Sequence, residues 1–157
     1  MLWLCNLTSG VAHAASNLCT KSEETVFSCR FRAKVASVCA SWKQDGKLAY
    51  AQYRFGSSVI EIAIPAKENF DISQLSGQVF SGAHGGGEEQ NISNGEYAYQ
   101  ISTSWDMRNG SYDTSEIKIT KDRRVISSFN CKTTTSLGRD DEGLRRLITA
   151  SGMKLPQ

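Results

Sequence analysis

Residues 24–65 constrain the fold of this chain more than any other stretch: four runs of strand-forming residues follow one another through very short connections. In the first run Phe27, Cys29 and Phe31 alternate with Ser28 and Arg30, the period of two expected of a half-buried strand. A second run covers residues 35–40. Asp45-Gly46 is a turn dipeptide. After it, residues 47–55 place Tyr50 and Gln52 on one face and Ala49, Ala51, Tyr53 and Phe55 on the other. Gly56-Ser57 turns the chain into residues 59–64, and Pro65 stops that run because it has no N–H to give a ladder. Parallel pairing would need connections of about a dozen residues or more, so the four runs predict an antiparallel meander.

The five cysteines bear on compartment. Residues 1–14 carry no charged side chain and end in Ala12-His13-Ala14, the small-x-small pattern of a secretory cleavage site. They read as the remnant of a secretory leader whose start lies upstream of Met1, with a mature chain from Ala15; a disordered tail is the alternative. Loss of Cys5 leaves Cys19, Cys29, Cys39 and Cys131, an even set that in an exported protein reads as two disulfides. A hairpin centred on Lys34 sets Cys29 opposite Cys39, which predicts the pairs Cys29–Cys39 and Cys19–Cys131. Buried free thiols are one alternative. A zinc site is another, with no CxxC-type spacing and only His84 left beside the cysteines. The sequons at Asn6 and Asn91 are short enough to arise by chance and carry no argument.

With 157 residues, the chain fits a single β-rich domain over residues 15–157 and can bury a sizeable core. A net charge of +2 gives no footprint for nucleic acid, and Arg123-Arg124 and Arg145-Arg146 read as solvated pairs. No apolar run is long enough for a transmembrane helix.

Beyond Pro65, residues 69–75 read as a loop with one helical turn, and residues 78–81 as a short strand. Residues 81–89, with Gly85-Gly86-Gly87, read as a flexible loop; no GK[ST] follows, which excludes a P-loop. Asn94-Gly95 predicts a type I′ hairpin into a long strand over residues 96–106. There Tyr97, Tyr99, Ile101, Thr103 and Trp105 share a face, better suited to a core than to a ligand pocket. Asn109-Gly110 marks a turn, Ile117 and Ile119 alternate in the next strand, and residues 124–131 close a second meander. Asp140 is placed to cap a helix bearing Leu144, Leu147 and Ile148, with Gly152 as its stop. The class is mainly β: an antiparallel β-sandwich or barrel of about eight strands in two meanders with a short C-terminal helix.

No catalytic set stands out. His84 sits beside three glycines, a poor platform for a general base. Glu88 and Glu89 are adjacent, so on a strand they point to opposite faces and cannot converge on one bond. Ser–Lys chemistry stays open. No cofactor and no metal are expected. Binding residues concentrate on loops held by a scaffold, which points to Ser81, Gly82, His84, Glu88 and Glu89, with Met107, Arg108 and Tyr112 in the neighbouring turn. The alternative is that the loop is only a mobile connection.

The strings Val26-Phe27-Ser28-Cys29, Ser37-Val38-Cys39-Ala40-Ser41 and Tyr50-Ala51-Gln52-Tyr53-Arg54-Phe55-Gly56 resemble a group of small bacterial exported β-proteins. The likeness resumes at Asn94-Gly95-Glu96-Tyr97-Ala98-Tyr99, Ile117-Lys118-Ile119 and Cys131. In architecture the chain is similar to periplasmic lysozyme inhibitors and to periplasmic immunity proteins of type VI secretion toxins. Ser81-Gly82 matches the Ser-Gly of the inhibitors' cleft-entering loop, and Ala83-His84 stands where a Lys-Tyr type pair follows there. The resemblance implies a non-catalytic periplasmic or secreted protein with a protein partner, an inhibitor or immunity protein acting on a cell-envelope, peptidoglycan-directed enzyme. A small-ligand-binding or structural envelope protein is the alternative.

Overall fold

The computed structural model describes residues 17–108, 111–131 and 142–152; the leader, the Asn109-Gly110 turn and the Asp140 cap lie outside the described residues. β1 (Glu24–Phe31), β2 (Lys34–Trp42), β3 (Leu48–Gly56) and β4 (Ile60–Ile64) form one antiparallel meander. β5 (Leu75–Gly82), β6 (Gly85–Asn94), β7 (Tyr97–Asp106), β8 (Ser111–Lys121) and β9 (Arg124–Asn130) form a second. Two 3-10 turns, Lys67–Asn69 and Ile72–Gln74, connect the sheets, and α1 (Glu142–Ala150) follows the second one. The fold is therefore mainly β, two antiparallel meanders with a short C-terminal helix, as the sequence pattern predicts; β5 and β6 run further than their sequence patterns suggest.

The two sheets share one core, as their alternation dictates. Phe27, Val38 and Tyr53 face inward from the first sheet, and Ile92, Tyr99, Ile101 and Ile117 from the second. Tyr53 and Tyr99 meet across the interface with ring centroids 4.8 Å apart. Burial raises the pKa of both phenols, so they stay neutral as core groups. The β6–β7 loop is Gly95-Glu96, and Gly95 alone of the two has positive φ (62°). That is the II′ pattern, not the I′ turn expected from Asn94-Gly95, because the loop lies one residue further along.

α1 closes one end of the sandwich. Leu144, Leu147 and Ile148 are fully buried against β1, β5 and β6. Burying three such side chains contributes about 6 kcal/mol, more than the cost of about 4 kcal/mol for nucleating a short helix. The Arg146 guanidinium lies 3.8 Å from the centroid of the Trp42 ring and reaches Glu24 at 3.4 Å, while Arg145 pairs with the buried Glu88.

The first sheet is covered on its other face too, and this decides the disulfides. The β1–β2 turn is Arg32-Ala33, flanked by the pair Phe31 and Lys34, so the hairpin is centred ahead of Lys34. Cys29 then sits opposite Ala36, and Cys39 sits opposite Thr25 beyond a bulge. Cys29 faces the second sheet and Cys39 faces away from it, so the two cannot bond. The expected pairing is thus corrected: Cys29 bonds Cys131 at the end of β9, and Cys39 bonds Cys19 in the segment before β1 (Cα–Cα 5.3 and 5.4 Å). In the chain-entropy model the longer bridge, spanning 102 residues, contributes about 4.7 kcal/mol, and the shorter, spanning 20, about 3 kcal/mol.

The N-terminal segment that carries Cys19 lies over Arg54, only 2% exposed although it stands mid-strand in β3. Glu23, whose side chain is fully buried, meets the guanidinium with both oxygens, at 2.7 and 2.6 Å. The same carboxylate accepts from Lys67 Nζ (2.9 Å), the Thr20 N–H (2.7 Å) and the Tyr50 hydroxyl. Arg54 also donates to the Leu18 carbonyl and the Gln52 side chain, both at 2.8 Å, and Gln52 reaches the Pro65 carbonyl at 2.8 Å. Burial disfavours the charged form of Glu23, but Arg54, Tyr50, Thr20 and Lys67 outweigh it and hold the carboxyl well below the usual range.

Two outcomes follow. Lys21, Arg30, Lys43, Arg124 and Lys132 put the four cysteines on separate tryptic peptides. Non-reducing mapping is expected to link the Cys19 peptide to Cys39 and the Cys29 peptide to Cys131; any Cys29–Cys39 link contradicts the fold. Second, Glu23→Gln is expected to cost about 3 kcal/mol in urea unfolding near neutral pH, because it leaves a buried guanidinium without its counter-ion. A depressed folded pKa means the unfolded chain takes up the proton first. The stabilisation is therefore complete above the ordinary value of 4.5 and is lost as pH falls below it. The wild type should lose stability below that pH more steeply than Glu23→Gln; parallel acid limbs would refute the assignment.

Candidate functional site

The sequence-predicted loop is a strand and a tight turn. β5 and β6 pair from Leu75 and Ile92 out to Gly82 and Gly85, leaving only Ala83-His84 as the turn. The expectation of a flexible glycine-rich loop is thus corrected, and the reason lies in the neighbours. Trp105 packs on Gly86 from the inner face, and Phe80 packs on Gly87 from the outer face. A Cβ on Gly86 would stand 2.6 Å from Trp105 Cζ2 and from the Phe80 carbonyl. One on Gly87 would stand 2.3 Å from Phe80 Cζ and 2.5 Å from the Thr103 carbonyl. The glycines make room for two cross-strand aromatics, which stiffen a stretch that would be weak alone.

The acids divide as the strand period requires. Glu88 is 3% exposed, faces the core and pairs with Arg145, so it anchors α1 and is not available to a partner on the surface. Glu89 lies on the outer face, half-buried, where Asn91 Nδ2 donates to it at 3.3 Å.

The turn after β7 stands beside the β5–β6 turn. The Met107 N–H donates to the His84 carbonyl at 2.8 Å and joins the two tips. Asp106 Oδ1 accepts from the Arg108 N–H at 2.9 Å and, more weakly, from Arg108 Nε at 3.4 Å. These bonds, the backbone one foremost, hold the Asp106 carboxyl below its usual range and fix the turn. Ser81, Gly82, His84, Met107 and Arg108 are all exposed at this end of the sheet; the Tyr112 side chain lies outside the described residues, though its backbone pairs with Trp105.

One residue of the tip escapes the sequence reading. Phe80 is 45% exposed, as is Met107, on an outer face whose neighbours Ser76, Gln78, Glu89 and Asn91 are polar. Extending the β5 alternation back to Leu75 would have turned Phe80 outward. Of the aromatic stripe, Tyr99 belongs to the core, Tyr97 packs at its margin, and Trp105 is half-buried over Gly86.

Among the described residues no group of three or more His, Cys, Asp or Glu side chains converges to hold a metal, and no helix is long and apolar enough to cross a membrane. The two disulfides indicate an oxidising, extracytoplasmic environment. The molecule is thus a disulfide-bonded, two-sheet antiparallel β protein. No family model, curated protein or solved structure matches the chain.

Gly87→Ala discriminates a packed strand from a mobile connection. Because a backbone carbonyl cannot yield, the added methyl is expected to cost about 2 kcal/mol in chemical denaturation. A mobile segment would absorb it without measurable loss.

Proposed function

We propose that the protein is a non-catalytic periplasmic or secreted binding protein whose partner is another protein, an inhibitor or immunity protein of a peptidoglycan-directed enzyme. The observation that carries this reading is the double tip of the second sheet. Two turns joined by the Met107–His84 bond carry exposed Met107 and Arg108 at the end of long paired strands, with exposed Phe80 on the outer face of β5 in the same ribbon. Exposed apolar side chains flanked by a guanidinium are the residue types that dominate binding energy at small protein interfaces. A pre-ordered tip loses little conformational entropy on docking, unlike the floppy glycine loop that the sequence suggests. The resemblance to periplasmic inhibitors and immunity proteins supplies the class of partner.

The test is a complex-formation and inhibition assay against a panel of peptidoglycan hydrolases and against proteins captured from envelope extracts. A partner is expected whose affinity falls at least fivefold, about 1 kcal/mol, in Met107→Ala combined with Arg108→Ala. Both side chains are exposed, so Tm should stay unchanged. A hydrolase inhibited equally by wild type and variant refutes the tip as the binding surface. Absence of any envelope-enzyme partner refutes the function.

A further inference from the structure

The sandwich is closed unequally. At one end α1 fills the gap between the sheets with three fully buried aliphatic side chains. At the other, where β1 turns into β2 and β3 into β4, an apolar cavity of about 190 Å³ lies between the sheets. Phe31, Phe55 and Ile62 line it from the first sheet, and Ile119, Ser127 and Phe129 from the second. Buried Tyr53 forms its innermost wall, its ring tilted by 33° against that of Tyr99. Phe129 stands between Phe31 and Phe55, with ring centroids 4.9 and 6.3 Å away, tilted by 37° and 53°. These three large rings remain only partly buried, while the core behind them is closed.

We propose that this cavity binds the apolar tail of a small anionic amphiphile, an acyl chain with a carboxylate or phosphate head. Size sets the tail. An apolar cavity of about 150 Å³ accepts benzene, so this one has room for a tail of roughly six to eight carbons. Chemistry sets the interior: among the described lining residues, only Ser127, at the exposed rim, and Tyr53 have polar side chains. Charge sets the head. The exposed Arg32 holds its guanidinium 5.4 Å from the centroid of the Phe31 ring, on the solvent side of a residue that lines the cavity. Arg32 does so from a backbone φ of +54°, where a side chain is disfavoured and glycine would serve the turn better. The site is separate from the double tip. Ile119 lies eight residues along β8 from Ser111, roughly 26 Å at the strand rise.

The experiment is an NMR titration of the intact, oxidised protein with octanoate and with octan-1-ol. Both are expected to shift backbone resonances of Phe31, Phe55, Ile119 and Phe129 saturably in the millimolar range or below, with octanoate binding tighter. Arg32→Glu should weaken octanoate at least fivefold and leave octan-1-ol within twofold. Ser127→Trp should fill the rim and abolish both; Ile62→Phe, which adds volume from the opposite sheet, serves the same purpose if the first variant folds poorly. No saturable shifts, shifts at other residues, or octanoate and octan-1-ol affinities that are equal and indifferent to Arg32→Glu would overturn the proposal. So would shifts that track protein concentration alone, since a second copy of the chain would then be what covers the cavity.

Discussion

A guanidinium buried in the middle of a strand sets the terms for the first half of this protein. Once covered, Arg54 cannot be left without a counter-ion, because the desolvation cost of an unpaired charge exceeds what the surrounding packing returns. Glu23 supplies the charge, but it lies outside the sheet, in the segment before β1. The pair therefore pulls the N-terminal segment across the face of β2 and β3, and once there the segment brings Cys19 within bonding distance of Cys39. Lys67 and the Pro65 carbonyl close the node from the chain leaving β4. A four-stranded sheet of this size would ordinarily leave one face to solvent; here both faces are committed, one to apolar packing and the other to this network.

That double commitment explains what could and could not be read from the residues. The strands were legible because period-two alternation is local: Phe27, Cys29 and Phe31, or Tyr53 and Phe55, announce an inner face without any knowledge of the partner sheet. The helix was legible for the same reason, from Leu144, Leu147 and Ile148. Disulfide pairing was not, because it depends on hairpin register. Moving the turn to Arg32-Ala33 pairs Cys29 with Ala36, which puts Val38 on the Cys29 face and Cys39 on the opposite one. A one-residue uncertainty in register inverts a face, and no composition argument carries that precision. Nor could the Arg54–Glu23 pair be found by local reasoning, since 31 residues separate its members.

The triple glycine shows the complementary failure. Read alone, Gly85-Gly86-Gly87 has no side chain to pack and a high entropy in the unfolded chain, which argues for a loop. In the fold Trp105 and Phe80 from the neighbouring strands pack over Gly86 and Gly87, so the same residues become part of an ordered strand. Glu88 then follows the strand period into the interior, where Arg145 meets it. A residue that looks like a surface acid is thus the anchor of the helix, and the surface at this end of the sheet is left to Phe80, His84, Met107 and Arg108.

The two ends of the second sheet are consequently unlike. Near Asp106 and Ser111 the ribbon is stiffened by aromatic cover, cross-turn hydrogen bonding and the Asp106–Arg108 turn. Near Ile119 and Phe129 the sheets are held by the Cys29–Cys131 bond beside them, and rings line a cavity between them. A covalent tie there does what continuous packing does at the helix end: it keeps the sheets in place without requiring the intervening space to be full. The Cys29–Cys131 bond, not the contents of the cavity, ties the sheets together at this end, whereas at the helix end Leu144, Leu147 and Ile148 do so by filling the space.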